Sequence, residues 1–90
     1  MSNKYYAVYQ AGHAVYGVGK TPAEAIEDAR EWVDNGETLE SELVERSRAN
    51  DGDMVVEECS EALFNEVQES GGDIVFSEHE DIIRLDSEIA

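Results

Sequence analysis

The tetrapeptide Thr21-Pro22-Ala23-Glu24 marks a helix start and so divides the chain into an upstream and a downstream part. Thr21 suits the N-cap, Pro22 the first helical position, and Glu24 completes a T-x-x-E capping box. At ~100° per residue, Ala25, Ile26, Ala29, Trp32 and Val33 fall on one stripe. Glu24, Glu27, Asp28 and Glu31 fall on the opposite one. Asp34-Asn35-Gly36 is the expected stop, because Asn35 or Gly36 can take the left-handed conformation.

Upstream, Lys4–Gln10 reads as a strand rich in Tyr and Val, and Ala11-Gly12 as a tight turn. His13–Lys20 reads as the returning strand, with Gly17 and Gly19 weakening it or marking a bulge. Downstream, residues 38–47 leave helix or loop open, since Leu39, Leu43 and Val44 have helical spacing on a thin stripe. Asp53–Cys59 reads as a strand. Ser60 caps a second helix, Glu61–Ser70, with Leu63, Phe64 and Val67 facing inward and Gly71-Gly72 ending it. Ile74-Val75-Phe76 and Ile82-Ile83-Arg84-Leu85 read as closing strands around a turn at Ser77–Asp81.

The expected order is therefore β-β-α-(α)-β-α-β-β. It predicts a small α+β domain over residues 1–90, with a mainly antiparallel sheet and two or three helices on one face. A length of 90 residues sets one domain as the ceiling. The hydrophobic share, 41%, is too high for a disordered acidic tail. No apolar run approaches the ~20 residues of a membrane span, and the N-terminus carries no secretory pattern. With a lone cysteine, Cys59, no internal disulfide can form, which points to a reducing cytoplasm.

The charge is unevenly placed. Residues 1–20 hold Lys4, Lys20, all four tyrosines and no acid. Residues 21–90 hold four arginines against all 22 acids, a balance of −18 within a net −16. That is about twice the ~2–8 charges that keep a small domain soluble. Like-charge repulsion argues against direct binding to nucleic acid or to an anionic membrane.

Chemical motifs are weak by comparison. Gly19-Lys20-Thr21 resembles the end of a phosphate-binding loop, but Ala14 stands where the first glycine belongs. A glycine-bent strand entering a capped helix explains it. Asn50-Asp51-Gly52-Asp53…Glu58 resembles a calcium loop, but Ser47 and Ala49 occupy the first and third ligand positions. An acidic turn explains that segment. His13, Cys59 and His79 are scattered singly, without zinc-ligand spacing. A Cys–His nucleophilic pair would need the two to meet in space, whereas a small buried residue is the commoner role for Cys59. No catalytic residue, metal or cofactor is expected.

Residues 5–33 resemble the start of a HicB-type antitoxin, carried by Gly19-Lys20-Thr21-Pro22-Ala23-Glu24-Ala25-Ile26-Glu27-Asp28-Ala29-Arg30-Glu31 after a hairpin. The family's P-D-L-P-G-C-like segment before the helix is replaced by Tyr16-Gly17-Val18, and no DNA-binding element is evident after residue 50. The resemblance implies an antitoxin-like domain that blocks a small basic RNA-targeting toxin, without operator binding.

The leading expectation is a non-enzymatic acidic protein that neutralises a basic partner by imitating nucleic acid: a toxin, a nuclease or another nucleic-acid-binding effector. Antitoxins and phage inhibitors of nucleases or CRISPR complexes are the natural settings. Glu24, Glu27, Asp28 and Glu31 would form the contact face, joined by Glu57, Glu58, Glu61 and Glu69. The alternative is a self-associating structural domain, a homodimer joined through Tyr5, Tyr9 and Tyr16 on an acid-free hairpin. Its acidity would then reflect solubility or a high-salt cytoplasm.

Overall fold

A computed structural model describes residues 4–11, 14–33, 39–71, 74–79 and 82–89, without the side chains of Glu40, Arg46 and Ile89. Among the described residues, five strands form one sheet in the order β2-β1-β3-β5-β4. They are β1 (Tyr5–Gln10), β2 (Val15–Gly19), β3 (Met54–Cys59), β4 (Phe76–His79) and β5 (Ile82–Leu85). The helices are α1 (Pro22–Arg30), α2 (Leu39–Glu42), α3 (Glu61–Ser70) and α4 (Asp86–Ile89), with a 3₁₀ turn at Arg46–Arg48. The α+β class stands. Three of the four strand pairings are antiparallel, and β3 meets β5 in parallel at Cys59 and Ile83. No helix among the described residues is long and apolar enough to cross a membrane.

The two main helices do not share a face, contrary to the expectation from sequence. Side chains alternate along β1, so Ala7 and Tyr9 point to one side and Val8 to the other. Ala7, Tyr9, Val18, Val55, Cys59 and Ile83 pack with Leu63 and Phe64 of α3. Val8 packs with Ala25 and Ala29 of α1 and with Leu39 of α2. The sheet is thus covered on both sides, and its central strands β1 and β3 contribute to both cores.

The caps explain the helix starts. Thr21 Oγ1 accepts from the Glu24 N–H at 3.1 Å, and Ser60 Oγ accepts from the Leu63 N–H at 3.2 Å. Helix α3 runs to Ser70, and Gly71 follows at φ +86. Helix α1 ends sooner than its apolar pattern suggests, at Arg30, with Trp32 N–H bonded to Ala29 O at 2.9 Å. Its expected stop, residues 34–36, lies outside the described residues. Once the helix ends, 100° spacing no longer applies. Trp32 accordingly leaves the Ala25–Ala29 stripe and stands 70% exposed.

The closing hairpin also differs. Phe76 pairs with Leu85 and His79 with Ile82, so Ser77–His79 are strand where a turn was expected. Val75, read as strand, precedes it and is 72% exposed. Register with Ile82–Leu85 outweighs the short apolar run at residues 74–76. The open segment 38–47 contains the one-turn α2 and a bridge from Leu43 to Met54. The unforeseen α4 positions Glu88, whose Oε2 accepts from Ser60 Oγ at 2.7 Å and from Leu85 N–H at 2.9 Å. The N-cap of α3 is thereby tied to the end of β5.

Candidate functional site

The glycines of β2 determine how the acidic helix meets the sheet. A Cβ on Gly17 would lie 2.3 Å from Ala29 N and 2.6 Å from Ala25 O. One on Gly19 would lie 2.5 Å from Glu24 Cβ. Both glycines therefore serve close helix–strand approach, with Ala25 and Ala29 as the small residues opposite. This approach lets a short side chain on α1 reach the backbone of β2. Asp28 Oδ2 accepts from the Val18 N–H at 3.0 Å. Asp28, expected on the solvent face, is half-buried and caps a donor of the edge strand.

The other carboxylates of α1 and of its C-cap, Glu31, remain outward. Glu24, Glu27 and Glu31 are exposed and span about 10 Å of axis at ~1.5 Å per residue. They border an open groove of about 1020 Å³ along the outer edge of β2. Phe64, Val67 and Gln68 of α3 form the opposite wall, with Trp32 on the lining and Lys20 its one cation among the described residues. A second depression of about 580 Å³, between Tyr16, Leu39 and Met54, shares Trp32.

The eight acids expected to act as one face are divided by the fold. Only Glu24, Glu27, Asp28 and Glu31 come together on the groove. Glu57 lies on the α3 side of β3 and accepts from the Tyr9 hydroxyl at 2.8 Å. Glu58 points to the α1 side and lies 3.9 Å from Lys4 Nζ. Glu61 accepts from the Tyr5 hydroxyl at 3.1 Å, a bond that raises the Tyr5 phenol above its ordinary pKa. Glu69 is exposed near the end of α3.

The tyrosines do not form a common outer surface either. Tyr9 is 6% exposed and packs edge-on against Phe76 at 5.3 Å. Tyr5 packs against Phe64 with ring centroids 4.5 Å apart and planes tilted by 42°. Tyr16 is half-buried, its hydroxyl donating to Gln10 Oε1 at 2.9 Å. Strand β1 lies between β2 and β3, so its edges are already paired. The groove walls contributed by Phe64, Val67 and Trp32 were not foreseen. Trp32 carried a readable signal, a large aromatic beside an expected helix stop. Phe64 and Val67 read as core.

The motifs weighed for chemistry take structural roles. Gly19 and Thr21 support helix docking and capping. Asp53 Oδ2 accepts from the Asn50 N–H at 2.9 Å within a turn, and Glu58 lies in β3, so the acids of residues 50–58 do not wrap one centre. Among the described residues no group of three His, Cys, Asp or Glu could hold a metal ion. His13 lies outside the described residues.

Cys59 is 2% exposed, and burial followed by the charges of Glu58 and Glu88 pushes its thiol up to about 12. The raised value keeps the thiol protonated at neutral pH, so it lacks the thiolate a nucleophile needs. At pH 8 the native protein should react with Ellman's reagent at least about 10³-fold more slowly than the urea-unfolded chain. Equal rates would show that Cys59 is neither buried nor shifted.

No protein-family model matches the chain, and no curated protein or solved structure shows significant similarity to it.

Proposed function

We propose that this chain is a non-enzymatic acidic binding protein that neutralises a basic, nucleic-acid-handling partner. The observation that carries the reading is the exposed row of Glu24 and Glu27 on α1 and Glu31 at its C-cap, on a helix packed closely against the sheet, within a chain of net charge −16. Three carboxylates over about 10 Å have a spacing of the same order as the ~3.4 Å axial repeat of phosphates on one strand. Fixed charges of this kind steer a positive surface into contact and occupy it in place of a nucleic acid. An antitoxin or a phage-encoded inhibitor of a nuclease or CRISPR complex fits the size and charge. The resemblance of residues 5–33 to HicB-type antitoxins favours the first.

The test is capture from a lysate of the source cells, compared at ~50 mM and ~500 mM salt, with Glu27→Lys/Glu31→Lys as control. The captured protein is then assayed for nucleic-acid binding with and without the inhibitor. The expected result is loss of capture at high salt and in the variant, and competition with nucleic acid. Capture that ignores both salt and charge reversal, or a captured protein whose nucleic-acid binding is unaffected, would overturn the reading.

A further inference from the structure

We infer that the groove along β2 receives an extended segment of the partner, added to the sheet as a sixth strand, with basic residues alternating with apolar ones. This rests on the proposed function and names the chemistry its groove selects. Strand β2 is an outer strand of the sheet, and such an edge presents backbone donors and acceptors to an incoming chain. The Val18 N–H points outward, as its bond to Asp28 Oδ2 at 3.0 Å shows. A carbonyl of the incoming strand would take the place of that carboxylate and release Asp28 toward a basic side chain.

The alternation follows from the two different walls. Side chains of an added strand point alternately to the two faces of the sheet. On the α1 side they meet Glu24, Glu27 and Glu31, and on the α3 side Phe64 and Val67. A segment with Lys or Arg at every second position and Val or Leu between them satisfies both walls. Other acidic proteins with a wholly polar face would not impose this period. Trp32, on the groove lining and the chain's sole tryptophan, reports occupancy through its fluorescence.

The probe is a synthetic octapeptide of alternating Lys and Val, titrated against the full chain at low salt. Two controls have the same composition: one with Lys and Val in separate blocks, and one N-methylated at alternate residues to remove the donors of one peptide edge. The expected result is saturable binding of the alternating peptide, weakened at least tenfold by blocking the sequence or by N-methylating the edge that faces β2. Glu27→Lys/Glu31→Lys should also weaken it at least tenfold. Equal binding of all three peptides, with continued loss on charge reversal, overturns strand addition and leaves the electrostatic reading intact. Failure of every peptide to bind, or binding indifferent to charge reversal, overturns strand addition into this groove, while the proposed function stands or falls on the capture experiment.

Discussion

Replacing Gly17 with alanine should destabilise the protein by about 3 kcal/mol or more, at the upper end of the cost of overpacking. The added methyl would meet Ala29 N at 2.3 Å, Ala25 O at 2.6 Å and Ala29 Cα at 2.7 Å, all backbone. Backbone cannot swing aside as a long side chain can, so α1 must lift from β2. Lifting it exposes Ala25 and Ala29 and stretches the bond from Val18 N–H to Asp28. Against a total stability of about 5–13 kcal/mol for 90 residues, that is a large fraction. Gly71→Ala is the matched comparison. Its Cβ would meet nothing within 4 Å, and only its backbone, at φ +86 and ψ −176 in a region essentially confined to glycine, resists it, at a cost of about 1–3 kcal/mol. Urea unfolding of both variants decides the matter. A loss below about 1 kcal/mol for Gly17→Ala would mean that the close approach of α1 to β2 does not exist.

Leu63→Ala should cost about 2–5 kcal/mol, because it leaves a cavity beneath α3. Leu63 is fully buried against Ala7, Val55, Cys59 and Ile83, residues drawn from three strands. Val67→Ala, one turn on, removes a half-buried side chain at the groove wall and should cost less than half as much. The pair of midpoints separates core from rim on a single helix. A loss below about 1 kcal/mol for Leu63→Ala would show that α3 is not packed on the sheet as described. Because Leu63 and Gly17 serve opposite faces, their effects bear on two separate cores.

The legible parts of this fold were those governed by neighbours in sequence. Thr21 and Ser60 each hold the third following N–H, a bond that lies within one turn of chain, so both helix starts could be read from residue order alone. The strands at Lys4–Gln10 and Asp53–Cys59 were readable for the same reason, since their Val and Tyr residues suit an extended backbone. Boundaries set by distant partners were not readable. Residues 77–79 joined β4 because Ile82–Leu85 offered them a register. The end of α1 moved Trp32 off its stripe and onto the surface.

The candidate site shows the same division more sharply. Sequence established the net charge, the acid-free first twenty residues and the row Glu24, Glu27 and Glu31 on one side of a helix, because composition and helical period are local properties. Which of the remaining acids stand free was decided by tertiary structure. Asp28 was drawn to Val18 by the glycine-mediated contact, and Glu57 and Glu61 were engaged by tyrosine hydroxyls 48 and 56 residues away in sequence. The placement of α1 and α3 on opposite faces, and hence the groove over β2, was likewise a tertiary outcome. It depends on the strand order of the sheet and on which side of β1 each helix buries its apolar stripe. Those choices are made by long-range pairing and packing, which no window of adjacent residues records.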